Sequence, residues 1–448
     1  MYMATKKTKR QAWVVDVDMG YGHSRAAHAL RDLGGGEVIS ANNYEGIPDT
    51  DKELWRKSRE MYEKISRLKP IPFVGDALFG AMDRLQQIPS FYPRRDLSKP
   101  NIQLREIYHL IKKGMGKHLV DKMSENPVPL VTTFFLPAFA ADYFDYPGKI
   151  YCITTDADIS RSWVPLDPKR SRIIYFASNG RVAERLKLYG VRSEQIHLTG
   201  FPLPKELIGG PRAGVVKELM RERLCHLDPQ GIFTDRYLKT LQAELGKSFC
   251  IIQDVCRPLT VLYSVGGAGA QRKIAVDILG SLRGELKQGK LRLILMAGTR
   301  KDVARFFQDA VLDLGLKKEL RKTIFIPLYP SRKEYFDGFN IWLKETDILW
   351  TKPSELSFYT GLGIPIIIAP PIGSQEVFNQ IWLQYVGGGI PQADPRYTNE
   401  WLFDWIQSGG VARMAWSGFV EAPTHGTYRI ENIVLGKPDV IHPLPLIV

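Results

Sequence analysis

Cysteine is scarce in this chain, with four among 448 residues. Cys152, Cys225, Cys250 and Cys256 form neither a CxxC pair nor an evenly spaced ladder, which argues against a disulfide framework and a zinc knuckle. A reducing, cytoplasmic compartment is expected. No apolar run approaches the ~20 residues that a membrane-spanning helix needs. The basic start, with Lys6, Lys7, Lys9 and Arg10, runs directly into the strand-like Ala12–Val17 and lacks the longer apolar core of a secretion signal. A soluble protein, or one peripheral at the inner face of a membrane, is the expectation. Internal repeats, low-complexity tracts and heptad runs are also missing, which excludes solenoids and coiled coils.

Positive charge, by contrast, is plentiful. The formal net charge is +13, and residues 52–117 hold 15 Lys/Arg against 7 Asp/Glu. Such a surplus suits nucleic acid, an anionic membrane surface or a phosphorylated substrate. No nucleic-acid recognition module accompanies it, so nucleic acid is not an expected partner. The same segment combines Trp55, Tyr62, Phe73, Phe79, Phe91 and Tyr92 with Arg94, Arg95, Lys99 and Arg105. Apolar faces flanked by cations bind anionic lipid headgroups.

With 44% hydrophobic and 24% charged residues, the chain has apolar mass for two ordinary cores. Short apolar runs at 13–17, 37–40, 130–135, 149–154, 172–177 and 195–199 alternate with helical patterns such as Arg181–Tyr189. A second series follows at 259–265, 291–297, 323–326, 347–351 and 365–369. Strands alternating with helices predict parallel sheets, and two series predict two doubly wound α/β domains whose ligands lie beyond the strands' carboxyl ends, in a cleft between them. Residues 206–258 read as a linker with a helical insertion. Beyond Tyr397 the pattern is helical over 399–407 and then irregular, with Pro423, Pro438, Pro443 and Pro445.

Three constellations carry possible chemistry. Gly20-Tyr21-Gly22-His23 follows the first strand and opens a helix; its glycines permit a tight turn, and an imidazole there is suited to take a proton from a hydroxyl. A structural turn with a capping histidine explains the same residues. Gly266-Gly267-Ala268-Gly269 ends the first strand of the second series, where small residues let backbone amides approach a diphosphate. It lacks the Lys-Ser/Thr ending of a Walker loop. The third runs from Thr351-Lys352-Pro353-Ser354-Glu355 through Gly361-Leu362-Gly363-Ile364-Pro365 to Gly373-Ser374-Gln375-Glu376 and Asn379. Asp156-Ala157-Asp158 spells a DxD, a pattern that elsewhere binds a metal with a diphosphate; a metal role is not expected here, because helix N-termini and backbone amides neutralise a diphosphate without one.

Taken in order, these pieces resemble the GT-B glycosyltransferases that include monogalactosyldiacylglycerol synthases, processive diacylglycerol glucosyltransferases and, more distantly, the peptidoglycan UDP-N-acetylglucosaminyltransferase. Thr155-Asp156 with Trp163, and Tyr189-Gly190-Val191 through Thr199-Gly200-Phe201-Pro202, match further segments of that pattern. The resemblance implies two Rossmann-like domains: an acceptor domain over 1–205, with its membrane-facing segment at 52–118, and a nucleotide-sugar domain over 259–396, followed by a helical tail at 397–448. It implies transfer of a sugar, from a UDP-sugar, to a hydroxyl acceptor, a lipid, at a peripheral membrane surface and with no obligatory metal or other cofactor. His23 is the implied base, with Asp156 beside it and Gly20, Tyr21, Gly22 and Trp163 on the acceptor side. Gly266, Gly267, Ala268 and Gly269 are implied at the diphosphate, and Ser354, Glu355, Gly373, Ser374, Gln375, Glu376 and Asn379 at the nucleotide and sugar. Two departures stand out: Ser160 lies where the lipid-glycosylating families have a histidine, and Glu355 falls about one helical turn early. They leave a UDP-N-acetylglucosamine 2-epimerase-like enzyme and a catalytically silent GT-B binding protein as alternatives.

Overall fold

The computed structural model describes residues 9–56, 88–247, 249, 257–265, 269 and 271–438. Residues 57–87, within the segment 52–118 expected to face a membrane, lie outside them. The chain divides into two compact units, residues 1–202 with 425–448, and residues 203–424.

The first unit is built on β1 (Trp13–Asp16), β2 (Ile39–Ser40), β3 (Leu130–Thr132), β4 (Ile150–Ile153), β5 (Ile174–Ala177) and β6 (Ile196–Leu198). They form one sheet in the order β2-β1-β3-β4-β5-β6, parallel throughout. Parallel strands are covered by helices on both faces, and the pleat sorts their side chains accordingly. Trp13 and Val15 enter one core with Ile150, Tyr175 and Phe139, while Ala12 and Val14 enter another with Tyr151, Phe176 and Leu30. The helix Gly426–Val434 closes this second core with Ile430 and Val434, so the chain ends its described course on the unit where it began.

The second unit repeats the design with β7 (Leu259–Ser264), β8 (Leu291–Met296), β9 (Ile324–Phe325), β10 (Ile348–Thr351), β11 (Ile366–Ile368) and β12 (Gly389–Pro391). Its order is β12-β11-β10-β7-β8-β9, again all parallel. Every residue of β7 is buried, the signature of a central strand covered on both sides. The expected architecture of two Rossmann-like α/β sheets in separate domains is therefore present.

Two segments differ from the expectation. Residues 206–258 do not stand apart: the helices Gly214–Leu227 and Ile232–Leu245 put Met220, Leu224, Leu227, Phe233, Leu241 and Leu245 into the core under β7 and β8. Arg223 pins the first of them. Its fully buried guanidinium donates to the carbonyls of Leu343, Thr346 and Leu362 at 3.1, 2.9 and 2.7 Å, and burial pulls its pKa down to about 10, still high enough for a cation at neutral pH. Nor is the chain irregular after Gln407, since Gly410–Glu421 is helical and carries Val411, Ala412 and Ala415 into the same core. The glycine-rich composition that hides this helix has a packing cause, because a Cβ at Gly418 would sit 1.9 Å from the Thr360 hydroxyl.

Asp347, at the entry to β10, joins these parts. It is fully buried and accepts two bonds of 2.7 Å from the Arg257 guanidinium and one of 2.8 Å from the Thr260 amide, with His226 Nδ1 at 3.3 Å. Burial alone would raise the carboxyl pKa, but the bonds from His226 and Arg257 outweigh it and hold the group below its usual value. The stability contributed is present above the unfolded carboxylate value near ~4 and is lost as pH falls through the lower folded value. Asp347→Ala leaves a buried guanidinium without its counter-charge and is expected to cost about 3–5 kcal/mol in urea unfolding at pH 7. Asp347→Asn should flatten the fall in the urea midpoint between pH 5 and pH 3; a fall as steep as wild type's would show that Asp347 does not carry it.

Candidate functional site

In a parallel sheet every strand delivers its carboxyl end to one edge, and the loops diverge where the strand order reverses. In the first sheet that point lies between β1 and β3, in the second between β7 and β10. The residues singled out from the sequence fall on or just beyond the loops after β1 and β4 in the first unit and after β7, β10 and β11 in the second.

In the first unit the turn after β1 requires glycine: Gly20 has φ 124° and ψ 178°, a backbone region closed to other residues. The turn delivers His23 into the first turn of the helix Tyr21–Ala29, where two reciprocal bonds tie it to the loop after β3. Thr133 Oγ1 donates to the His23 carbonyl at 2.9 Å, and His23 Nδ1 meets the Thr133 carbonyl at 2.9 Å. A carbonyl only accepts, so Nδ1 carries the hydrogen, and in the neutral ring Nε2 is the unprotonated nitrogen. Thr155, on the loop after β4, brings its hydroxyl to 3.2 Å from the same Nδ1. Phe134 packs edge-on to the imidazole at 4.7 Å between centroids, and Trp163 lies tilted at 6.1 Å. The result is a half-buried imidazole, oriented by backbone and backed by aromatic rings.

The loop after β4 is itself rigid. Ser178 Oγ donates to the Asp156 carbonyl at 2.7 Å, and Asn179, which caps the helix Gly180–Leu188, donates to the Ala157 carbonyl at 3.0 Å. Asp158 is fully buried: Arg185 donates to both its oxygens at 2.9 Å and Arg181 to one at 2.7 Å. A carboxylate so engaged is a structural counter-ion to the two arginines. Asp156 is half-buried beside Thr155. Trp163 is held in place by the 3-10 turn Arg161–Trp163, whose Arg161 donates to the carbonyls of Ser98, Val164 and Pro165. Tyr21, expected on the acceptor side, is only 8% exposed and offers little surface to a ligand.

In the second unit the loops after β7, β10 and β11 are cross-tied. Gly266, Gly267 and Ala268 lie outside the described residues; Gly269 has φ 65° and Gln271 φ 66°, the latter a strained value for a residue with a side chain. Gln271 is held there by Tyr263, whose hydroxyl donates to its carbonyl at 2.8 Å, and by its own Nε2, which donates to the Pro370 carbonyl at 2.6 Å. After β10, Lys352 reaches Glu376 in the first turn of the helix Ser374–Tyr385, and Glu376 Oε2 accepts the Ile372 amide at 2.7 Å. Gly373, Gln375 and Glu376 are half-buried around that turn, and Ser354 at the turn after β10 is half-buried as well. Ser374 starts the helix.

Two expected ligand contacts need correction. Asn379 is fully buried and donates to the Pro353 carbonyl at 3.2 Å, so it holds the loop after β10 instead of presenting its amide to a ligand. Glu355 is 9% exposed at the head of a 3-10 helix, Glu355–Leu362, where an α-helix was expected; that helix stops at Gly363, with φ 67° and no room for a Cβ against Met220 Sδ. Sequence reasoning missed Thr133 and Lys352 as parts of the site. A threonine just past a strand and a lysine inside a recognised motif carry no periodicity to mark them.

No family model matches the chain, and no curated protein matches it. Among solved structures it is similar to MurG of Acinetobacter baumannii, at 11% identity over 95% of this chain and 99% of that one, with a TM-score of 0.47. It is also similar to the S. aureus MnaA–UDP co-structure, at 12% identity over 95% and 98% of the two chains, with a TM-score of 0.46. A UDP-GlcNAc 2-epimerase from Neisseria meningitidis bound to UDP-GlcNAc gives 14% identity over 81% and 90%, with a TM-score of 0.44. None reaches 25% identity or a TM-score of 0.5, and the fold description rests on the two sheets themselves. Among the described residues no helix is long and apolar enough to cross a membrane.

The hydrogen-bond pattern predicts a single neutral tautomer for His23. In a ¹⁵N spectrum of the neutral ring, Nε2 should resonate as an unprotonated nitrogen and Nδ1 as a protonated one; the reverse would remove Nε2 as a base. Gly20→Ala should cost about 1–3 kcal/mol by thermal or urea unfolding. The penalty is conformational, since a Cβ at Gly20 meets no atom within 4 Å.

Proposed function

We propose that the chain is a glycosyltransferase of the GT-B type, taking a sugar from a UDP-linked donor and passing it to a hydroxyl on a lipid acceptor at a membrane surface. The observation that carries this reading is the imidazole of His23, at the switch point of the first sheet, whose Nδ1 faces the Thr133 carbonyl and so fixes the tautomer with Nε2 as the basic nitrogen. As the acceptor oxygen attacks the anomeric carbon, its proton passes to Nε2, the new carbon–oxygen bond forms, and the bond to the diphosphate breaks with its electrons leaving on the phosphate. Thr133 and Thr155 hold the ring's orientation, while Asp156 contributes negative charge close by.

The second unit supplies the donor site in this reading. Backbone amides of residues 266–269 and the helix start at Gly373–Ser374 meet the diphosphate and need no metal to neutralise it. Gln375 and Glu376 meet the sugar, and Ser354 the nucleoside. Support for an anionic lipid surface comes from the helix Ile102–Lys112. Ile102 is 66% exposed, and Arg105, His109 and Lys112 line one open cavity of about 600 Å³ with Tyr108 and Leu166. Spacing of four and three residues puts those side chains on one helix face.

A nucleotide-release assay across UDP-, GDP- and ADP-sugars, with and without lipid vesicles, tests the whole reading. UDP release that requires lipid is expected. Release with epimerised sugar and no acceptor would instead identify an epimerase, and binding without turnover a silent relative. His23→Ala should lower the transfer rate by about 10²–10⁴-fold; an unchanged rate would overturn the assignment of the base.

A further inference from the structure

Glu376 is held on both carboxylate oxygens by two different loops. One oxygen takes the Ile372 amide just ahead of its own helix, and the other meets the ammonium of Lys352 from the loop after β10. Both side chains are largely withdrawn from water, Lys352 at 23% and Glu376 at 14% exposure. A tie between these segments already exists without charge, through Asn379 and the Pro353 carbonyl. Bringing an ammonium to the carboxylate is therefore not needed to join the loop to the helix. What it does is fix the carboxylate's direction as water is excluded. Gln271 reinforces the arrangement by bonding Pro370, two residues before Ile372.

We propose that Lys352 is a positioning residue of the donor site: it orients the Glu376 carboxylate toward the sugar of the bound nucleotide sugar, and so tunes recognition of the sugar more than of the nucleotide. The proposal rests on the functional reading that places Glu376 at the sugar. Lys352 itself touches no reacting atom; it acts through Glu376.

The test uses the full chain and calorimetric binding of UDP and of the UDP-sugars. Lys352→Met, which keeps the aliphatic stem and removes the charge, should weaken UDP-sugar binding by about tenfold and UDP binding by less than about threefold. Lys352→Arg should restore most of the loss. In a Glu376→Gln background, Lys352→Met should add almost nothing, because the ammonium then has no carboxylate to direct. Equal weakening of UDP and UDP-sugar, full additivity with Glu376→Gln, or no effect at all would overturn the proposal. Ligand-free amide exchange separates it from the functional reading: release of Glu376 in Lys352→Met should speed exchange at the Ile372 amide while the melting temperature stays close to wild type's. Unchanged protection at Ile372 overturns the clamp whatever the chain binds. A wild-type chain that binds no nucleotide sugar, yet shows the faster exchange on substitution, overturns the functional reading and leaves the clamp standing as a feature of the fold.

Discussion

Parallel pairing is the constraint from which the rest follows. Once β1, β3 and β4 run side by side in one direction, their carboxyl ends must finish at one edge, and the residues just beyond them must meet. That is how His23, Thr133 and Thr155, separated by more than a hundred positions from first to last, come to share one nitrogen. The same rule gathers the loops after β7, β10 and β11, whose strands are neighbours in the second sheet.

A parallel sheet offers few means of holding such loops still, because its edge is where hydrogen-bonded pairing stops. The chain uses buried charge and side chain to backbone bonds instead. Asp158 with Arg185 and Arg181 holds the loop after β4, Arg161 holds the turn that carries Trp163, and Lys352 with Glu376 joins two loops of the second unit. Deeper still, Asp347 and Arg223 anchor the helix Gly214–Leu227 to the second sheet. Buried ions are costly to desolvate and are tolerated where every polar atom finds a partner of fixed direction. Here the fixed directions are those of the loops.

The fold was legible because it rests on repetition. Alternating apolar runs and helical periods mark both sheets, and β1 to β11 fall within the runs named from sequence, trimmed at their ends, while the edge strand β12 lies beyond them. Where periodicity was masked, legibility failed. The helix Gly410–Glu421 carries Gly418 for close packing against Thr360 and reads as irregular. Helices at 214–227 and 232–245 read as an insertion because nothing local reveals that Arg223 is to be buried against three carbonyls.

By itself the sequence determined the class of fold, the positions of the loops beyond each strand, and the residues on them able to do chemistry, since these depend on local pattern and residue type. Tertiary structure alone decided which of those residues act on one another. Asn379 and Glu376 stand three positions apart on one helix; one is fully buried on the Pro353 carbonyl, and the other is shared between an ammonium and an amide. Asp158 and Asp156 stand two apart, and one is locked by arginines while the other lies half-buried at the loop. The physical reason is common to both pairs: a polar side chain's role is set by which groups surround it once water has been excluded, and those groups are brought by strands and helices distant in the chain.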